Sequence, residues 1–165
     1  MDIPVTDRLL HAHGFATDTP DHLRALTGDD AVAREAAVEH LAGAVIHEGT
    51  PWPATGPVAA YVADLVRARA TEDAVHEALV DFLAEVEEAI EIAEDDGGEA
   101  QQRADLAELG RDLEAELALV HTTKDLDLQF VDEEFADLVL THAYLGVLAV
   151  APAVREALAT ASDDA

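Results

Sequence analysis

The sequence predicts an all-α fold of stacked antiparallel helical hairpins, arranged as a short α-solenoid or an irregular helical bundle. Three observations carry this expectation. Half of the 165 residues are apolar, yet only 4% are aromatic and alanine is abundant. Small side chains let helix axes approach closely, whereas the β-branched and aromatic residues that suit strands are scarce. Apolar positions also recur every three or four residues over long runs, with glycine and proline between the runs. A chain of this length reads as one domain, 1–165, able to bury roughly 70% of its unfolded surface.

Residues 1–19 read as an irregular lead-in with one short turn through Asp7 to His11. Thr19 or Asp21 then caps a short helix, with Pro20 in its first turn, that carries Leu23 and Leu26 and stops at Gly28. The stretch from Asp30 to Val66 reads as the organising helical hairpin. Asp29 or Asp30 caps its first helix, whose apolar face is Ala37, Val38, Leu41, Ala44 and Val45 and whose end is expected near Glu48. Gly49 supplies a left-handed backbone position, while Pro51 and Pro53 cannot continue the helical ladder. Thr55 or Gly56, followed by Pro57, starts a second helix that folds back through Val58, Tyr61, Val62, Leu65 and Val66.

Further along, Val75, Leu79, Phe82, Leu83, Val86, Ile90 and Ala93 predict a long helix from Glu72 to Glu94. Gly97 and Gly98 break it. A second helix from Glu99 to Val120 follows, on the near-heptad seam Leu106, Leu109, Leu113, Leu117 and Val120. Thr122 to Val131 alternates apolar and polar residues and reads as an extended connector. Asp132 caps a helix that is apolar nearly all round from Leu138 to Val150, and Pro152 is expected to open a last helix to about Thr160. The expected units are therefore hairpins near 30–70, 72–121 and 132–160, with 161–165 as a frayed tail. Three such units are about the minimum for a stable stack.

The segment His47-Glu48-Gly49-Thr50, followed by Trp52 and Pro53-Ala54-Thr55, resembles the H-Q-G-T-x-Y-x-A-T signature of HEAT-repeat-like proteins common in high-GC actinobacteria. The run from His11 to Pro20 is similar to the H-A-Y-G-x-A-x-D-x-P segment preceding that hairpin in the same family. The likeness covers about residues 10–66. Glu48, Trp52 and Ala60 depart from the usual glutamine, tyrosine and second proline. The resemblance implies stacked antiparallel helices that bind another protein, and it implies no reaction.

Charge is the strongest feature of the composition: 36 acidic residues stand against nine basic ones, a net charge of −27. Such a surface repels phosphate backbones and anionic lipid, so nucleic-acid and membrane partners are not expected, while a basic protein would be attracted. Between Ala70 and Gln102 there are twelve acidic residues and no lysine or arginine. Glu87, Glu91 and Glu94 fall along one strip of the predicted helix, with Asp95 beside them, and form the candidate partner-binding surface. Solubility or adaptation to salt accounts for the same acidity without a partner. With no cysteine, disulfide and thiolate chemistry are excluded. The start MDIPVTDR lacks a basic region leading into an apolar run, and the stretch Leu138–Ala151 is shorter than a bilayer span, so a cytoplasmic location is expected.

No catalytic residue, cofactor or metal is expected. The chain has no H-E-x-x-H, no E-x-x-H pair, no glycine-rich phosphate loop and no G-x-S-x-G elbow. In the pairs His47-Glu48 and His76-Glu77, neighbouring side chains on a helix diverge by about 100° and cannot hold one ion. His11 and His13, with Asp18 or His22 as third ligand, are a metal alternative weighed against a structural turn; the acidic loop is another. His47, Gly49, Trp52, Pro53 and Thr55 are assigned to the structural turn, with the His47 imidazole near the last helical carbonyls and Trp52 packing the turn down. His142 reads as a buried histidine held by a hydrogen bond. Two functions follow: a non-catalytic interaction module whose partner is another protein, or an acidic inhibitor or immunity protein that blocks a basic enzyme such as a nuclease toxin. Neither fixes the oligomeric state.

Overall fold

The computed structural model describes residues 2–120 and 122–163. The chain is predominantly α-helical, with two short β-hairpins near its N-terminus. The first hairpin pairs β1 (Leu10–His11) with β2 (Gly14–Phe15), and the second pairs β3 (Ile46–His47) with β4 (Thr50–Pro51). Between them lie α1 (Thr19–Ala25) and α2 (Ala31–His40), and α2 widens into one π-helical turn over Leu41–Val45. Asp30 caps α2 by accepting from the Val32 and Ala33 amides.

The helix expected to reach Glu48 thus ends at Val45, and a strand replaces its last turn. Glu48 and Gly49 both have positive φ, 52° and 74°, which is the twist a tight two-residue hairpin turn requires. Gly49 therefore serves a β-turn rather than a helix C-terminus. Helix α3 (Thr55–Arg67) follows at once and buries Val58, Tyr61, Val62, Leu65 and Val66. Its packing partners are the helices Glu133–Asp163 and then Asp73–Asp95, so the organising contact of this stretch is made with the far end of the chain rather than with α2.

Helix α4 (Asp73–Asp95) buries the predicted face from Val75 to Ala93. The expected second helix is divided into α5 (Gly98–Leu109) and α6 (Leu113–Leu117). Gly110, at φ 61°, turns the chain out of α5, and Asp112 starts α6 by accepting from the Ala115 amide. The seam survives the break: Leu113, Leu117 and Val120 are buried together with Leu10, Leu126, Phe135, Leu138 and Val139. The expected end of this unit at His121 lies outside the described residues.

The connector is also helical, as α7 (Thr123–Gln129). Thr122 Oγ1 accepts from the Asp125 amide, and this local cap outweighs the alternating pattern, leaving Leu128 64% exposed. Helix α8 (Glu133–Asp163) runs unbroken through Pro152. Ala151, Val154 and Ala157 are buried on both sides of the proline, so core packing holds the two halves in line despite the lost hydrogen bond. The expected tail is helical through Asp163, and its last two residues lie outside the described part.

Because α8 does not stop at Pro152, it is long and apolar enough to cross a membrane by length and composition, contrary to the short span read from the sequence. In the fold it packs against α3, α4 and α5. Two apolar clusters result. One joins α3, α4 and the C-terminal half of α8; the other gathers α6, α7 and the start of α8 beneath the first hairpin.

Candidate functional site

Two surfaces collect chemistry: an acidic cleft beside α8, and a histidine cluster at the N-terminal hairpins.

The cleft lies between α5 and α8 and has a volume of about 560 Å³. Asp96, Asp105, Glu108, Glu134 and Asp137 line it, while Leu109, Leu140 and Tyr144 supply apolar surface. A second depression, with Ile92 and Asp95, adjoins it through Asp96, Gln102 and Tyr144. Ile92 is 55% exposed there. Helix α5 and the start of α8 explain the composition: each contributes a pair of acids at three-residue spacing, Asp105 with Glu108 and Glu134 with Asp137. Burial, reinforced by the charge of Asp96, raises the Tyr144 phenol above its ordinary pKa. Among the described residues, Asp96, Asp105, Glu108 and Asp137 have no basic side chain in ion-pair range, whereas Glu134 lies 3.6 Å from Arg111.

The predicted strip is less free than its sequence implies. Arg155 of α8 donates to Glu87 Oε1 at 2.8 Å and to both Glu94 oxygens at 3.0 and 2.9 Å. Hydrogen bonding to Arg155 holds the Glu94 carboxyl below its ordinary range. Glu91 and Asp95 remain exposed, and no ion pair engages them among the described residues. Arg155 lies 61 residues from Glu94, beyond the reach of any local pattern in the sequence.

The histidines come together more than their spacing suggests. His11 and His13 sit on the first hairpin, His22 on α1, His40 at the end of α2 and His47 on β3. Their rings form a connected series. His22 stacks on His40 at 4.1 Å; His40 meets His11 edge-on at 5.4 Å; His11 meets His13 at 6.0 Å; and His13 meets His47 at 5.8 Å.

Within this group His11 Nε2 lies 3.1 Å from Asp18 Oδ1, and His11 Nδ1 accepts from the His13 amide at 3.1 Å. The second bond fixes the tautomer: Nδ1 is the acceptor, so Nε2 carries the proton and donates to Asp18. Thr19 Oγ1, fully buried, lies 2.9 Å from His40 Nε2. One ligand atom each from His11, Asp18 and His40 falls within 4.8 Å of the others. Desolvation, then the neighbouring His22, pushes the His40 pKa down to about 4, although Asp18 acts the other way. Burial tends to raise the Asp18 carboxyl, but its hydrogen bond to His11 and the charge of His40 hold it below its usual value.

The sequence pairs His11 with His13 as possible ligands, with Asp18 or His22 as third; the structure brings His11 and Asp18 together and leaves His13 out of the group. His40 is not legible there as a ligand, because it becomes a neighbour only when the first hairpin folds over the end of α2; the bond from the Ala12 amide to the Ala44 carbonyl makes that closure. His13 contributes an amide and a ring edge, and His22 a stacking partner.

In the turn, His47 Nδ1 lies 3.0 Å from the Gly43 carbonyl in the middle of the π turn. Thr55 is fully buried; its hydroxyl accepts from the Trp52 amide and donates to the Val45 carbonyl. Pro53 is buried, and the half-buried Trp52 ring meets Phe130 edge-on at 6.0 Å. His142, half-buried on α8, has its pKa lowered by desolvation and has no hydrogen-bond partner among the described residues. Compared with protein-family models, curated proteins and solved structures, the chain matches none.

Proposed function

We propose that this protein is a non-catalytic interaction module that binds a basic segment of another protein in the cleft between α5 and α8. The observation that carries this reading is the combination in one cleft of Asp96, Asp105, Glu108 and Asp137 with the apolar surface of Leu109, Leu140 and Tyr144. Carboxylates without basic neighbours attract a cationic partner and speed its encounter, while exposed apolar side chains supply the burial that retains it. An amphipathic segment with arginine or lysine flanking leucine-like residues suits such a surface. The net charge of −27 argues against phosphate backbones and anionic lipid in the same role.

The HEAT-like reading adds that the helices serve as a scaffold stacked to present one face. What supports it is the predominantly helical chain and the helical layers on α8; the cleft reading does not depend on repeat symmetry. A related role, neutralising a basic enzyme, draws on the same acids. It would rest on the cleft more than on the strip, since Arg155 already engages Glu87 and Glu94.

The test is titration of the isotopically labelled chain with a short helical peptide of alternating arginine and leucine faces, followed by NMR. Resonances of Asp105, Leu140 and Tyr144 should move first, and Asp105→Asn, Glu108→Gln and Asp137→Asn combined should weaken binding at least tenfold. Undiminished binding by that variant, or shifts spread evenly over the acidic surface, would refute the cleft as the binding site.

A further inference from the structure

We propose that His11, Asp18 and His40 form a binding site for a divalent transition-metal ion of the zinc class. The three residues come from separate elements, the first hairpin, the start of α1 and the end of α2, and their ligand atoms converge within 4.8 Å. Two imidazoles and a carboxylate are the donor set that zinc accepts at about 2.0–2.2 Å, with ligand atoms a little over 3 Å apart. The 3.1 Å separation of His11 Nε2 and Asp18 Oδ1 already has that dimension, so only His40 has to close in. Calcium and magnesium, which prefer oxygen donors, are poor fits.

The surroundings suit a site that fills from solvent. His11 is buried at 6% side-chain exposure, whereas the Asp18 side chain is 57% exposed and marks the open side. Thr19 Oγ1 holds the His40 ring from Nε2, and His22 backs it by stacking. Such outer contacts orient ligating imidazoles and limit the entropy lost on binding.

One bond must change. In the structure as described, His11 Nε2 carries the proton and Nδ1 accepts from the His13 amide. Coordination through Nε2 moves that proton to Nδ1, which can then no longer accept from His13. Since His13 is exposed, its amide can turn to water. Metal binding is thereby coupled to the conformation of the β1–β2 turn, and the His11 tautomer reports it.

The experiment is calorimetric titration of the full chain with zinc chloride, alongside Asp18→Asn and His40→Gln. The expected result is saturable binding of one zinc per chain, weakened at least tenfold in each variant. In parallel, imidazole ¹⁵N spectra of the unaltered chain should show His11 changing from the Nε2-H to the Nδ1-H tautomer as zinc is added, with His76 and His142 unmoved. Absence of saturable binding, or affinity unchanged in either folded variant, would overturn the site. Should a variant lose its helical circular dichroism, the spectra of the unaltered chain decide, and an unchanged His11 tautomer at zinc saturation rejects it. The cleft reading is untouched by either result, because its peptide titration uses other residues.

Discussion

Gly56 of α3 lies against the backbone of Gly146 of α8, so that a Cβ placed on Gly56 would stand 2.5 Å from the Gly146 carbonyl oxygen and 2.7 Å from its carbonyl carbon. The relationship is one-sided. A Cβ on Gly146 would meet nothing nearer than the Gly56 Cα, at 3.9 Å, which is ordinary contact. Two helices whose residues are far apart in sequence thus approach closely because one of them lacks a side chain at the crossing.

From this asymmetry, Gly56→Ala should destabilise the protein by about 2–3 kcal/mol: the clash is with backbone, which cannot rotate away, and outweighs the gain in helix propensity. Gly146→Ala should be neutral or stabilising, by up to about 1 kcal/mol, for the propensity gain alone. Urea denaturation of the two variants measures both. Equal effects would mean that the α3–α8 crossing is not as tight as described.

Arg155 ties α8 to α4 through Glu87 and Glu94, and its pairing lowers the folded-state pKa of Glu94. The sign follows from linkage: the unfolded carboxyl, near 4.5, takes up its proton before the folded one as pH falls. The pair therefore contributes stability above about pH 4.5 that is lost as pH drops through the folded value. Melting temperature should fall on acidification below that point, and less steeply in Arg155→Gln than in the unaltered chain. Parallel curves for the two proteins would show that the pair contributes no measurable linkage. The same pairing bears on the acidic strip: Glu87, Glu91 and Glu94 replaced together by glutamine should leave peptide binding in the cleft nearly unchanged.

Thr55 and Trp52 test the turn. Thr55→Val keeps the shape but leaves the Trp52 amide and the Val45 carbonyl without their partner, at a cost of about 2–3 kcal/mol. Trp52→Ala should cost about 2 kcal/mol, below the loss for a fully buried ring, because Trp52 is only half-buried against Phe130. Trp52→Phe should cost much less, since the buried indole Nε1 has no hydrogen-bond partner to lose among the described residues. Chemical denaturation followed by circular dichroism separates the three. A larger loss for Trp52→Ala than for Thr55→Val would place the turn's stability in the ring rather than in the hydroxyl.

How much of this was legible in the chain depends on the range of the interaction concerned. The α4 face from Val75 to Ala93, the Asp30 cap and the α3 face from Val58 to Val66 follow from periodicity and capping chemistry, which act within a few residues. Local signals were also present where the expectation failed. Gly110 with Asp112 marks the end of α5 and the start of α6, and Thr122 with Asp125 marks the start of α7, but a seam of leucines and an alternating pattern masked them. Pro152 is the opposite case. Its local signal is correct in kind, and the burial of Ala151, Val154 and Ala157 overrides it.

By itself, the sequence determined that this chain is helical, strongly acidic and without cysteine, because propensity, charge and composition belong to residues wherever they are placed. Only the tertiary structure decided that α3 crosses α8 at Gly56, that Arg155 engages Glu87 and Glu94, and that His40 joins His11 and Asp18. Each of those depends on residues brought together across 20 or more positions of chain, where no periodicity connects them and packing of the whole core sets the distance.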